Sequence, residues 1–223
     1  MSTSKNTNRS RMLQLGDYVM SAKFSALPPE VVWRAKMITL DNIGCAMLGS
    51  TLPGAAAILQ SVDVLGSSND ATIALSSPRS ASVFSAAVVN STYIGNTDLT
   101  EGVSRGVVHP GGVMVPAALA EAERLHSNGR DYLLALVIGY DVLVRMGWAL
   151  AHEAGSPLSE VKPKSMERGW FGPALFGPFG SATTTAILNK MDVNAYEQAM
   201  GICGNLLPTA LIAGFKQGAE VKG

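Results

Sequence analysis

The chain has 223 residues, seventeen basic and seventeen acidic, so its formal net charge is zero, and 47% of it is hydrophobic. That length suits one large domain or two small ones with a sizeable core, and the neutral balance excludes the basic surface that nucleic acid or an anionic membrane would select. Charged residues make up only 15%, below the roughly 25% usual in soluble domains, which points to a surface partly covered by a partner subunit or by further chain.

The first twelve residues, MSTSKNTNRSRM, are polar and basic and lack an apolar signal core, so they read as a disordered tail (1–12) rather than a secretion signal. A short helix is expected over Leu13 to Phe24. The segment LPPEVVWRAKMITLDNIGCAMLGS is the clearest helix. Pro28 and Pro29 suit its start and Glu30 its first turn, while Val31, Ala35, Ile38, Cys45 and Leu48 form one face. PGAAAILQSVDVLG predicts another helix, DATIALSS a short strand or extended linker, and SASVFSAAVVNSTYIGN a helix rich in small residues.

NTDLTEGVSRGV is a polar, glycine-punctuated loop. A helix returns from Val113 to Leu125 and stops at Asn128 and Gly129. DYLLALVIGYDVLVRMGWALAHEAG is apolar on nearly all sides and therefore central. Its most apolar run, Leu133 to Tyr140, is too short to span a bilayer. SPLSEVKPKSMERGWFGP is a proline-rich loop, ALFGPFGSATTTAILNKMD is glycine-rich before turning helical, and VNAYEQAMGICGNLLPTALIAGF is a helix kinked near Pro208. With no strand–helix alternation and no repeat, the class is mainly α. The last residues, FKQGAEVKG, carry no helix stop and read as a cut inside a longer chain.

Cys45 and Cys203 are the only cysteines. Both sit in apolar helical contexts and read as reduced, buried thiols of an intracellular protein. No cysteine–histidine cluster suggests zinc. The loop from Asp98 to His109 gathers Asp98, Glu101, Arg105 and His109. A carboxylate and an imidazole on one loop can share acid–base work, and a helix beginning after Pro110 would offer free N–H groups to a carboxylate. From composition alone, the commoner reading is a solvated loop with a capping histidine. Asp141 and Arg145 have ion-pair spacing. His126 and His152 lie near helix ends, where a dipole contact accounts for them. Lys216 and Lys222 read as solvated lysines, and Trp170, Phe171, Phe176 and Phe179 as core or the wall of an apolar pocket.

In order and spacing, LPPEVVWRAKMITLDNIGCAMLGS, AAVVNSTYIGNTDLTEG, HPGGVMVPAALAEAE, GRDYLLALVIGYDVLVRMGWAL, GPALFGPFGSA and GAEVKG resemble the MmgE/PrpD superfamily of 2-methylcitrate dehydratases and cis-aconitate decarboxylases. The resemblance runs from about Leu15 to Lys222. It implies a large all-helical domain over 13–223, incomplete here, with the α+β lid domain absent, a homodimer, and an active site between domains. Asp98 matches the first aspartate of a stretch resembling D-F-D-D-T, His109 the histidine of a His-Pro motif, and Lys222 the lysine of a G-x-x-x-K motif. By that resemblance these three are catalytic. His109 moves a proton, Lys222 clamps a carboxylate, and Asp98 orients or shares a proton. Gly102, where a threonine is usual, and Phe171, where a histidine is usual, are expected to line the substrate pocket.

The implied function is a lyase, a dehydratase or decarboxylase, acting on a citrate- or aconitate-like di- or tricarboxylic acid by acid–base catalysis. Neither a metal nor an organic cofactor is expected, and no nucleic-acid or membrane partner. Alternatives are an epimerase or isomerase of the same fold, an enzyme acting on an alkylated citrate, and a non-catalytic or split-enzyme subunit paired with a chain that supplies the other half. The expected home is the cytoplasm, with the mitochondrion as the alternative.

Overall fold

The structure is a computed structural model and describes residues 10–65, 68–74, 79–103, 108–151 and 169–207. In chain order the described elements are α1 (Arg11–Ser21), a 3₁₀ turn (Phe24–Ala26), α2 (Pro29–Gly49), α3 (Ala55–Leu65), β1 (Ala71–Ile73), β2 (Arg79–Ala81), α4 (Val83–Thr97), α5 (Pro110–Arg124), α6 (Gly129–Ala151), α7 (Gly172–Leu188) and α8 (Val193–Asn205). The fold is mainly α, with one antiparallel two-stranded ribbon pairing Ala71 with Ala81 and Ile73 with Arg79. Residue 208 and the residues from 152 to 168 lie outside the described residues, so the expected kink at Pro208, His152 and the expected proline-rich loop do so too.

Helix starts follow the capping chemistry of the sequence. Ser10, Ser82 and Asp192 accept the backbone N–H three residues on, at 3.1, 3.1 and 2.8 Å, opening α1, α4 and α8. Asn128 does the same for α6, accepting from Arg130 and Asp131 N–H. The cap at Ser10 starts α1 two residues earlier than the periodicity suggests, inside the stretch read as the polar tail. The extended backbone of Ala22 then ends it before Phe24. His126 sits at φ 50° just past α5, with Ser127 N–H returning to the Ala122 carbonyl at 2.9 Å, so it closes that helix end.

The core is layered around α5, α6 and α7. Met114, Ala118, Leu136, Leu143 and Phe176 form its centre and are almost fully buried. A second cluster packs α2, α3, α4 and the ribbon around Val62, Ile73, Val89 and Tyr93, and a third packs α1, α6, α7 and α8 around Val19, Val142, Tyr196 and Met200. By length and composition α6 could cross a membrane, but half of that stretch is buried inside the bundle, as expected of a core helix.

The GPFG stretch is the main departure from the expected order. α7 begins at Gly172 and runs through it. The glycines serve packing rather than a loop: a Cβ at Gly180 would press on Met114 Sδ at 2.6 Å and Leu143 Cβ at 3.0 Å, and one at Gly177 would meet Val113 Cγ1 at 3.0 Å. Opposite, Gly139 of α6 faces Met114 Cε and the Gly180 carbonyl, which a Cβ would approach to 2.6 and 2.9 Å. Cys45 is buried and Cys203 only half-buried, both as free thiols.

Pro116 lies inside α5 and cannot donate to the Gly112 carbonyl one turn earlier. The Ser91 hydroxyl of α4 makes that bond instead, at 2.9 Å. At the other end of α5, buried Glu121 accepts from Arg124 Nε at 3.0 Å, Arg124 Nη2 at 2.6 Å and Asn189 Nδ2 at 2.5 Å, tying α5 to the end of α7. The Arg124 bonds, helped by Asn189 and opposed by burial, hold the Glu121 carboxyl below its ordinary 4.5.

Gly139→Ala should lower stability by about 1–3 kcal/mol through overpacking. Gly44→Ala, where a Cβ would meet nothing within 4 Å, should be neutral or stabilising by up to about 1 kcal/mol. Urea unfolding of the pair checks both. Because the Glu121 pKa is depressed on folding, its contribution is fully present above 4.5 and is lost as pH falls through the lower folded value. Melting temperature should therefore fall as pH drops from 4.5 through the lower folded value, and less steeply in Glu121→Gln.

Candidate functional site

The site is built on the loop between α4 and α5. α4 ends at Asp98, which adopts a left-handed backbone (φ 52°, ψ 28°) with its N–H on the Gly95 carbonyl, a conformation that aspartate tolerates better than most residues. The chain turns there toward α5. Val103 pairs with Val108 across the loop, Val103 N–H donating to the Val108 carbonyl at 2.9 Å. This bridge returns the chain so that His109 becomes the N-cap of α5 and Pro110 its first residue. The helix thus begins three residues before Val113, because proline is pre-organised for the first helical position.

His109 does not cap the helix with its side chain. Its Nδ1 lies 3.1 Å from the Glu101 carbonyl oxygen. A carbonyl only accepts, so Nδ1 carries the proton in this contact, and in the neutral imidazole Nε2 is then a lone-pair base. Gly102 lies under the ring: a Cβ there would come within 3.2 Å of His109 Cε1. Asp98, Thr100, His109 and Phe171, with Ser91 and Gly112, line one small pocket of about 70 Å³. That volume holds about two waters.

On the other side of Glu101 and Gly102 a cleft of about 710 Å³ opens between α2 and α6, lined by Arg34, Ile38, Leu136 and Tyr140 together with those two residues. Glu101 spans the boundary. Its Oε1 accepts the Gly111 N–H at 2.6 Å, and its Oε2 accepts Asn42 Nδ2 at 3.2 Å. Burial, then the charge of Glu101 and a hydrogen bond to it, push the Tyr140 hydroxyl far above its ordinary 10.0, opposed by Arg34. Asn42 is fully buried; its Nδ2 also donates to the Ile38 carbonyl at 2.9 Å, and its Oδ1 has no hydrogen-bond partner.

The family model of the MmgE/PrpD N-terminal domain matches residues 13–221. The chain belongs to the MmgE/PrpD family. Among curated proteins it is similar to a cis-aconitate decarboxylase-like protein, oryM, of Aspergillus oryzae, 28% identical over 85% of this chain and 38% of the relative. It is also similar to a cis-aconitate decarboxylase of Aspergillus terreus, 28% identical over 79% of this chain and 35% of the relative. The match thus spans well under half the length of these family members.

Of the residues the sequence singles out, the fold brings Asp98, His109 and Phe171 to one pocket and sets Gly102 against the imidazole. Lys222 lies outside the described residues, as do Lys216 and Arg105. Asp141 and Arg145 form the expected ion pair at 2.7 Å, with the Tyr18 hydroxyl also donating to Asp141 at 2.9 Å, which places them in the α1–α6 packing. Among the described residues no three histidine, cysteine or carboxylate side chains come together in a way that could hold a metal ion. The sequence reading groups Glu101 with the loop charges but gives it no role of its own, and it passes over Asn42. The available signal was a buried-face asparagine in the apolar stretch around Ile38 and Cys45.

Gly102→Ala should displace the His109 ring by a few tenths of an ångström while changing stability by less than about 1 kcal/mol, since the ring is exposed and can give. Imidazole proton shifts in NMR spectra of the two forms, compared with their melting curves, check this.

Proposed function

We propose that this chain carries the acid–base half of a lyase site for a citrate- or aconitate-like polycarboxylic acid, a decarboxylase or dehydratase. The observation that carries the reading is the His109 imidazole with Nδ1 held on the Glu101 carbonyl at 3.1 Å, beside Asp98 in one pocket. A tautomer fixed in this way leaves Nε2 ready to take a proton from a carbon next to a carboxylate, or, once protonated, to return one to the carbanion left when carbon dioxide departs. Asp98 orients or shares that proton. Lys222, matched only by motif, is the proposed cation for a substrate carboxylate. The substrate's clamped carboxylates stabilise the developing charge, so neither a metal nor an organic cofactor is part of the proposal. The names of the two relatives favour the decarboxylase form.

Phe171 borders the same pocket. A phenyl ring cannot move a proton or bind a carboxylate, which favours a substrate bearing an alkyl or other apolar substituent at that end. An epimerase or isomerase, using only proton removal and return, is the second reading.

A second copy of the chain, or a chain completing the site, is the proposed partner. Trp33, Leu40 and Met47 are 58%, 64% and 50% exposed along α2 and, with Ile43, follow heptad spacing.

His109→Ala, assayed with cis-aconitate and alkylated citrates, should lower kcat by about 10²–10⁴-fold with KM little changed. Unchanged turnover would remove His109 from the mechanism. Deuterium uptake from solvent without net product would replace the lyase with the isomerase reading.

A further inference from the structure

We infer that Glu101 is the positioning residue of this site: its carboxylate ties its stretch of the loop to α2 and α5 so that its own carbonyl can hold the His109 imidazole. The inference rests on the acid–base reading of His109 for its catalytic consequence, but not for its structural one.

The geometry is a strap with two anchors. The first is the Gly111 N–H at the start of α5, 2.6 Å from Oε1. That amide precedes any intrahelical acceptor, and the positive end of α5 favours a carboxylate there. The second is Asn42 Nδ2 of α2, 3.2 Å from Oε2. Asn42 is fully buried and already spends its amide on the Ile38 carbonyl, so its direction is set by the helix that carries it. Tyr140 of α6 lines the cleft beside the same carboxylate. These anchors leave the residue's backbone carbonyl aimed at His109 Nδ1, 3.1 Å away.

The approach is close enough to demand glycine on the helix side. A Cβ at Gly111 would sit within 2.5 Å of both Asn42 Nδ2 and Glu101 Oε1. Carboxylate, amide and backbone are therefore packed as one unit. A glutamine keeps the length and an acceptor for Gly111, but its amide meets Asn42 Nδ2 donor to donor unless Asn42 turns its unpartnered Oδ1 toward it.

The test reads the imidazole directly. The three histidines are labelled with ¹⁵N, and His109 is assigned by its loss in His109→Ala. In the wild type the neutral His109 ring should show protonated Nδ1 and bare Nε2. In Glu101→Ala the Nε2–H tautomer, favoured by a free imidazole, should appear. Glu101→Gln should retain most of the wild-type pattern, and Asn42→Ala, which removes one anchor, should lie between wild type and Glu101→Ala. Melting curves identify any variant that fails to fold, in which case the glutamine and Asn42 variants decide. A wild-type tautomer in a folded Glu101→Ala, an unchanged one in Asn42→Ala when Glu101→Ala does not fold, or an Nε2–H signal in the wild type overturns the inference. In turnover, Glu101→Ala should lose about tenfold to a hundredfold in kcat with KM held within about threefold. If His109→Ala leaves turnover intact, the lyase reading fails while the tautomer result still judges the strap.

Discussion

A single carboxylate bonded to two helices fixes the geometry on which the site depends. Glu101 meets the first turn of α5 and a buried amide of α2, so the backbone at Glu101 is not free to drift relative to the helical core. Such bonds to a charged acceptor contribute more than neutral ones, about 1.5–3 kcal/mol each, and they act where the backbone has least structure of its own. The carbonyl that holds the imidazole is thereby fixed to the helices around it, which a proton-transferring imidazole needs and an ordinary surface loop lacks.

The helical core behind the loop is organised by what it omits. Gly139, Gly177 and Gly180 let α5, α6 and α7 approach until Met114 (at Gly139 and Gly180) and Val113 (at Gly177) take the space a Cβ would need. The break in hydrogen bonding at Pro116 is closed from α4 by Ser91, which also borders the His109 pocket. The first turn of α5 is thus held from both sides, by Glu101 at Gly111 and by Ser91 at the next residue, Gly112. The far end of α5 is fastened to α7 through Glu121, Arg124 and Asn189. Packing and polar bonds therefore converge on the helix whose first residue follows the candidate base.

Much of this was legible in the sequence. Proline at a helix start, serine and aspartate caps, and apolar residues at helical spacing announced most elements, because these signals are local. The GPFG stretch was misread as irregular. Its glycines are helical and serve contacts with Val113, Met114 and Leu143, and interhelical distance leaves no local mark. The motif resemblance picked out Asp98, His109, Gly102 and Phe171, which the fold brings around one ring. The role of Glu101 stayed hidden for a different reason: its side-chain partner Asn42 lies 59 residues earlier in the chain, and only their meeting gives the carboxylate a structural role. The small size of the His109 pocket, and the wide cleft on the other side of Gly102, were likewise invisible before the chain was folded.

The most direct measurement is hydrogen exchange at the Gly111 amide. A backbone N–H in the first turn of a helix has no intrahelical acceptor and ordinarily exchanges close to the open-chain rate. With Glu101 Oε1 at 2.6 Å, the Gly111 amide should instead be protected to the level of amides inside α5, and that protection should vanish in Glu101→Ala. Open-chain exchange at Gly111 in the wild type, with the interior of α5 protected, would contradict the strap and with it the ordered geometry ascribed to His109.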